Sequence, residues 1–191
     1  MQHTIFDTPI LRNISPFLAR LALRLSGWKI EGDFPLLDKY VLIGAPHTSN
    51  WDFPVALAIC CACKQKFYWM GKHTLFRGPL GPIARWLGGI AVDRRQANSL
   101  VEQMVQIYQQ HEQLVVAISP EGTRKKVEKW KTGFYYIALG SQLPIVLGYL
   151  DFERKVGGCG GIFYPTGDIE SDMAQIRQFY APIKGKKPEN Q

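Results

Sequence analysis

The chain has 191 residues, 46% hydrophobic and 20% charged, which is enough for one domain with a sizeable core and too apolar for a disordered chain. Its formal net charge of +7 points to an anionic partner: a phosphate-bearing substrate, an anionic lipid surface or a nucleic acid. The four cysteines do not make a disulfide framework, because Cys60, Cys61 and Cys63 crowd into one apolar segment, "ALAICCACK". Cys60 and Cys63 form C-x-x-C without a second pair or suitably spaced histidines, so they read as small side chains on a buried helix and no metal is expected. The opening "MQHTIFDTPI" lacks a basic n-region followed by an apolar h-region, and a reducing cytosol is the expected compartment. No apolar run reaches the ~18 residues of a membrane span.

The first element is a helical pattern over residues 10–25, with Ile10, Ile14, Phe17, Leu18, Leu21 and Leu25 at helical spacing. Arg12, Arg20 and Arg24 sit among them with no acid, Pro16 suits a first helical turn and Ser15 an N-cap. This amphipathic helix can pack on the domain, lie on an anionic membrane surface, or do both. Short buried strands follow at 40–45, 67–71, 89–93, 114–119 and 144–150. Helical patterns separate them at 51–64, 82–87, 97–112 and 133–141. A last strand is expected at 161–166 and a last helix at 171–180, with "GGCGG" (157–161) as a turn and 185–191 as a frayed tail. Continuous apolar strands alternating with helices predict a single α/β domain over 1–191, its mostly parallel sheet covered by helices on both faces.

The stretch "APHTSNWDF" follows the first of these strands and sets His47 and Asp52 five positions apart. In a continuous helix or a strand that spacing would part them, so the pair meets only if the chain turns from strand end into helix. Ser49 and Asn50 are good caps for such a helix. Lys72 and His73 follow the second strand, Asp93 and Arg94 the third, and Glu121, Gly122, Thr123 and Arg124 the fourth. In a parallel sheet all of these converge at one edge, beyond the carboxyl ends of the strands.

The chemistry of such a cluster can be drawn from the residues. A neutral imidazole is the natural acceptor for the proton of an attacking hydroxyl, and a carboxylate on its other nitrogen fixes the tautomer. Arg124 offers a planar fork for a phosphate, and Gly122 allows a tight turn or close backbone approach. Glu121 suits orientation of a cation or loop. Beyond it, "RKKVEKWK" (124–131) embeds Trp130 among basic residues, which suits either an anionic membrane surface or a solvated loop.

In order and approximate spacing, "HTSNWD", "GGIAVDR", "PEGTR" and "LPIV" resemble the four motifs of the 1-acyl-glycerol-3-phosphate acyltransferases, over roughly residues 40–148. The resemblance implies transfer of a fatty acyl group from acyl-CoA or acyl-carrier protein to a lysolipid hydroxyl, with no further cofactor. It implies a glycerol-3-phosphate acyltransferase-like fold at the cytoplasmic face of the membrane. Carried over by residue, it makes His47 and Asp52 a general-base dyad and Arg124, Lys72 and Arg94 the phosphate ligands, with Glu121, Gly122 and Thr123 supporting the loop and Asp93 structural. Three positions depart from the pattern: Pro46 stands where Asn is usual, Thr74 where an acid is, and Ser119 where an aromatic is. They leave the acceptor open between lysophosphatidate, another lysolipid and glycerol phosphate. A non-catalytic lipid-binding protein and a hydrolase are rival readings. A nucleic-acid partner is not expected, since no recognition motif accompanies the charge.

Overall fold

The computed structural model describes residues 3–92 and 97–191. Its strands are β1 (Lys29–Glu31), β2 (Lys39–Ala45), β3 (Tyr68–Lys72), β4 (Gly89–Val92), β5 (Leu114–Ile118), β6 (Ile145–Asp151) and β7 (Val156–Phe163). Its α-helices are α1 (Pro9–Leu25), α2 (Asp52–Ala62), α3 (Gly81–Trp86), α4 (Ala97–Gln110), α5 (Gly133–Ser141) and α6 (Ile169–Tyr180). The strands form one sheet in the order β1-β7-β6-β2-β5-β3-β4, parallel throughout except where β7 runs against β6. This is the expected α/β architecture, and β2, which delivers His47, lies at its centre.

Alternate residues of each strand serve opposite faces. Val41, Ile43 and Ala45 of β2 join Val116 and Ile145 in the main core, closed by Met104 and Tyr108 of α4, Phe134 and Ile137 of α5 and Ile176 of α6. Tyr40 and Leu42 point the other way and pack with Cys60, Phe67, Val115 and Val146 under α2. Helix α1 lies on α2 and turns inward only a narrow stripe, Pro16, Ala19 and Leu23. Its broad apolar stripe faces outward: Ile10, Phe17 and Leu25 are 70%, 69% and 79% exposed, and Ile14, Leu18 and Leu21 are exposed beside them.

Three expectations are corrected and one strand is added. Helix α1 starts at Pro9 with Thr8 before it, so Ser15 is no cap and Pro16 lies inside the helix. Strand β1 was not legible in its three residues. The stretch "GGCGG" is part of β7 and not a turn. Its glycines answer to close neighbours: a Cβ on Gly158 would sit 2.1 Å from the Glu31 carbonyl oxygen, and one on Gly160 1.9 Å from the Phe179 ring. The tail at 185–191 is docked rather than frayed, with a short 3-10 turn at Pro188–Asn190 that packs against the loop carrying His47.

Candidate active site

Strand β2 ends at Ala45, and the chain turns through residues 46–51 into α2, whose first residue is Asp52. One carboxylate oxygen organises that turn. Asp52 Oδ2 accepts from the backbone N–H of Thr48 and of Ser49, each at 2.9 Å, and lies 2.9 Å from His47 Nδ1. This answers the spacing of five: the loop folds around the carboxylate and brings the imidazole onto it. A carboxylate can only accept, so Nδ1 is the donor, and in a neutral imidazole the acceptor is then Nε2. Asp52 is buried, its side chain 7% exposed, whereas that of His47 is 31% exposed. Of the two expected caps, Ser49 Oγ accepts from Trp51 N at 3.2 Å, while Asn50 turns its Oδ1 to the Arg124 guanidinium, which donates to it.

The loop after β5 grips the same turn. The buried Glu121 accepts from His47 N at 3.0 Å through Oε1 and from the Ser119 hydroxyl at 2.7 Å through Oε2. Of the two roles open to Glu121, cation or loop, its contacts fit the second. Gly122 has φ 64°, so the turn calls for glycine. Thr123 Oγ1 accepts from Lys125 N at 3.4 Å and Lys131 N donates to the Pro120 carbonyl at 2.8 Å, which closes the loop. The structure thus joins His47 to Asp52 and Glu121, and Arg124 to Asn50 of the same turn. Lys72 ends β3 at the same sheet edge, with β5 between it and β2. Arg94 and Asp93 lie outside the described residues. The sequence marks Ser119 only as a departure from the motif and not as part of this frame, because a small hydroxyl beside a motif carries no pattern of its own.

Behind the dyad an apolar cavity of about 210 Å³ runs between the sheet and α2. His47 and Asp52 line it at one end and Phe34 and Phe67 at the other; Leu42, Gly44, Ala117 and Gly148 form its floor and Phe53, Ala56 and Cys60 its roof. The space follows from residue size. Gly44 pairs in register with Gly148, and nothing stands within 4 Å of where a Cβ on Gly44 would be. Complete burial of Cys60 pushes its thiol far above the ordinary range, so it lines the cavity as an apolar group. Tyr149, also in the wall, is pushed up to about 12 by burial and by its hydrogen bond to Glu31. A second cavity lies against Glu121, Trp130, Arg177 and Tyr180 and shares Pro46 with the first. Among the described residues no group of three or more His, Cys, Asp or Glu could hold a metal ion, and no helix is long and apolar enough to cross a membrane.

A histidine–carboxylate dyad at the carboxyl edge of a mostly parallel sheet, opening on an apolar cavity, defines a class of site suited to chemistry on a hydrophobic substrate. The acyltransferase family model matches residues 29–147, more than half of the chain, and the chain belongs to that family. Among solved structures it is similar to the 1-acyl-sn-glycerophosphate (LPA) acyltransferase PlsC from Thermotoga maritima, with a TM-score of 0.60 and 15% identity over 91% of this chain and 76% of that one. The fold is therefore the one expected from the motif order. No curated protein matches the chain.

Proposed function

We propose that the chain transfers a fatty acyl group from a thioester, acyl-CoA or acyl-carrier protein, to the free hydroxyl of a lysophospholipid such as 1-acyl-glycerol-3-phosphate. The observation that carries this reading is the dyad at the mouth of an apolar cavity. The acceptor oxygen attacks the thioester carbonyl while His47 Nε2 takes its proton. Asp52 stabilises the imidazolium through Nδ1. Collapse of the tetrahedral intermediate expels the thiolate, which takes the proton back from Nε2, so the histidine is restored and no acyl-enzyme forms. The acyl chain occupies the cavity, and Arg124 and Lys72 receive the acceptor's phosphate, with Arg94 a third ligand by its place in the motif alone. No cofactor enters these steps.

The same reading places the protein peripherally on an anionic membrane, at its cytoplasmic face, with no nucleic-acid partner. Two stretches of sequence support this. Residues 8–30 and 53–92 contain nine Lys and Arg and no Asp or Glu, which leaves 14 basic and 16 acidic residues in the remainder, so the positive excess is confined to them. These stretches carry the outward stripe of α1 and the exposed Leu75, Leu80 and Ile83 around α3. They meet where Trp86 Nε1 donates to Thr8 Oγ1 at 3.2 Å. An apolar surface carried by stretches with this basic excess is suited to an anionic bilayer, each basic residue near the surface contributing about 1 kcal/mol.

The test is transfer of a labelled long-chain acyl group from acyl-CoA, then from acyl-carrier protein, to lysophosphatidate and other lysolipids, comparing wild type with His47→Ala. Transfer that is lost in a folded His47→Ala variant supports the reading. A wild type that binds lysolipid but transfers nothing from either donor would leave a lipid-binding protein.

A further inference from the structure

The last nine residues of the chain pack on the turn that holds the dyad. After α6, Ile183 is buried in the main core and the Lys184 carbonyl accepts from Phe152 N at 2.9 Å, which fixes the segment at the end of β6. Lys187 N then donates to Thr48 Oγ1 at 3.1 Å, and Asn190 Nδ2 donates to the Thr48 carbonyl at 3.5 Å. Gly185 lies so close that a Cβ would stand 2.6 Å from Thr48 Oγ1 and 2.7 Å from its Cγ2. Lys186 Nζ sits 4.9 Å from the centre of the Trp51 ring. Gln191 closes the segment on itself, donating to the Ile183 carbonyl at 2.7 Å and accepting from Gly185 N at 3.1 Å.

Thr48 follows His47 directly and is 2% exposed. Its N–H belongs to Asp52, while its hydroxyl and its carbonyl belong to the C-terminal segment. The turn from 46 to 52 is thus held from two sides, by Glu121 at the His47 amide and by residues 185–191 at Thr48 and Trp51. We infer that this segment is a strap that positions the general base, with the Thr48 hydroxyl and Gly185 as its positioning residues. The role follows from geometry: a shift of about 1 Å in a reacting group can lower a rate about 10²-fold. The inference rests on the proposed acyl transfer for its catalytic readout, and the contact itself can be read without it.

Three full-length variants test it, each by kcat, KM for the acceptor, melting temperature and amide hydrogen exchange in the 46–52 turn. Thr48→Val keeps the shape and removes the hydroxyl. It should lower kcat about tenfold with KM and melting temperature close to wild type, and exchange in the turn should quicken. Thr48→Ser should restore both kcat and protection. Gly185→Ala, whose new carbon cannot fit against Thr48, should lower kcat at least as far as Thr48→Val. Wild-type kcat in both Thr48→Val and Gly185→Ala would overturn the inference, as would a failure of serine to rescue. If the wild-type protein transfers no acyl group, the proposed reaction fails on its own account. Exchange then decides the strap: unchanged protection of the turn in both variants overturns it.

Discussion

The two faces of the sheet are built from the same strands, yet one is filled and the other is hollow. Toward α4, α5 and α6, β2 presents Val41, Ile43 and Ala45 and β6 presents Ile145 and Leu147, all buried against large aromatic and aliphatic side chains. Toward α2, β2 presents Tyr40, Leu42 and Gly44, and β6 presents Val146 and Gly148. On β2 and β5 the side chains of that face shrink in the direction of the site, from Tyr40 through Leu42 to Gly44 and from Val115 to Ala117. The bulky end is packed shut by Tyr40, Phe67 and Val115, and the end nearest His47 stays open. A sheet can therefore separate stability from function by face. The filled side contributes the close packing on which folding depends, and the other side gives up packing and leaves an apolar cavity behind the dyad.

Substitutions on the two faces should leave opposite signatures. The largest effect belongs to the site itself: His47→Ala should reduce acyl transfer by about 10²–10⁴ while circular dichroism stays that of the wild type. On the filled face, Ile137→Ala should cost about 2–5 kcal/mol in denaturant unfolding, with the preference among acyl chain lengths unchanged. On the hollow face, Gly44→Leu should leave the unfolding midpoint near wild type, because the new side chain enters open space. It should instead lower transfer of long chains about tenfold relative to short ones, as expected for a pocket that loses several methylenes' worth of room. A Gly44→Leu variant with wild-type chain-length preference would place the acyl chain elsewhere.

The smallest effect tests how the outward helix is attached. Asp7, just before α1, receives Lys66 Nζ at 2.6 Å and the Thr4 amide at 3.0 Å. Burial by itself would raise this carboxyl, and the bonds from Lys66 and Thr4 outweigh it, holding Asp7 below the ordinary carboxylate range. A depressed folded value means that the contribution is complete above the unfolded value of about 4 and is lost as pH falls through the folded value. Because the pair is partly exposed, Asp7→Asn should cost under about 1 kcal/mol at pH 7. The gap to wild type should close in unfolding curves taken on further acidification below that range.

Much of the framework could be read in the residues. The strand runs ending at Ala45, Lys72 and Ile118 are continuous and apolar, and residues with chemistry follow each one. A spacing of five between His47 and Asp52 makes sense only across a turn, and the turn is there. Two of the errors share one cause. "GGCGG" has no side-chain period to mark it as a strand, and its glycines answer to Glu31 and Phe179, which are remote in sequence. The docked tail was equally hidden, since its partner Thr48 is 139 residues away from Lys187.

Local chemistry thus determined the alternation of strands and helices, the identity of the dyad and the amphipathic character of α1, because periodicity and residue type act within a few positions. Which stripe of α1 turns outward, how far a cavity extends behind His47, and what holds Thr48 depended on the packing of distant segments. Cavity volume and buried hydrogen bonds are properties of pairs of surfaces, and no single stretch of chain carries both members of the pair.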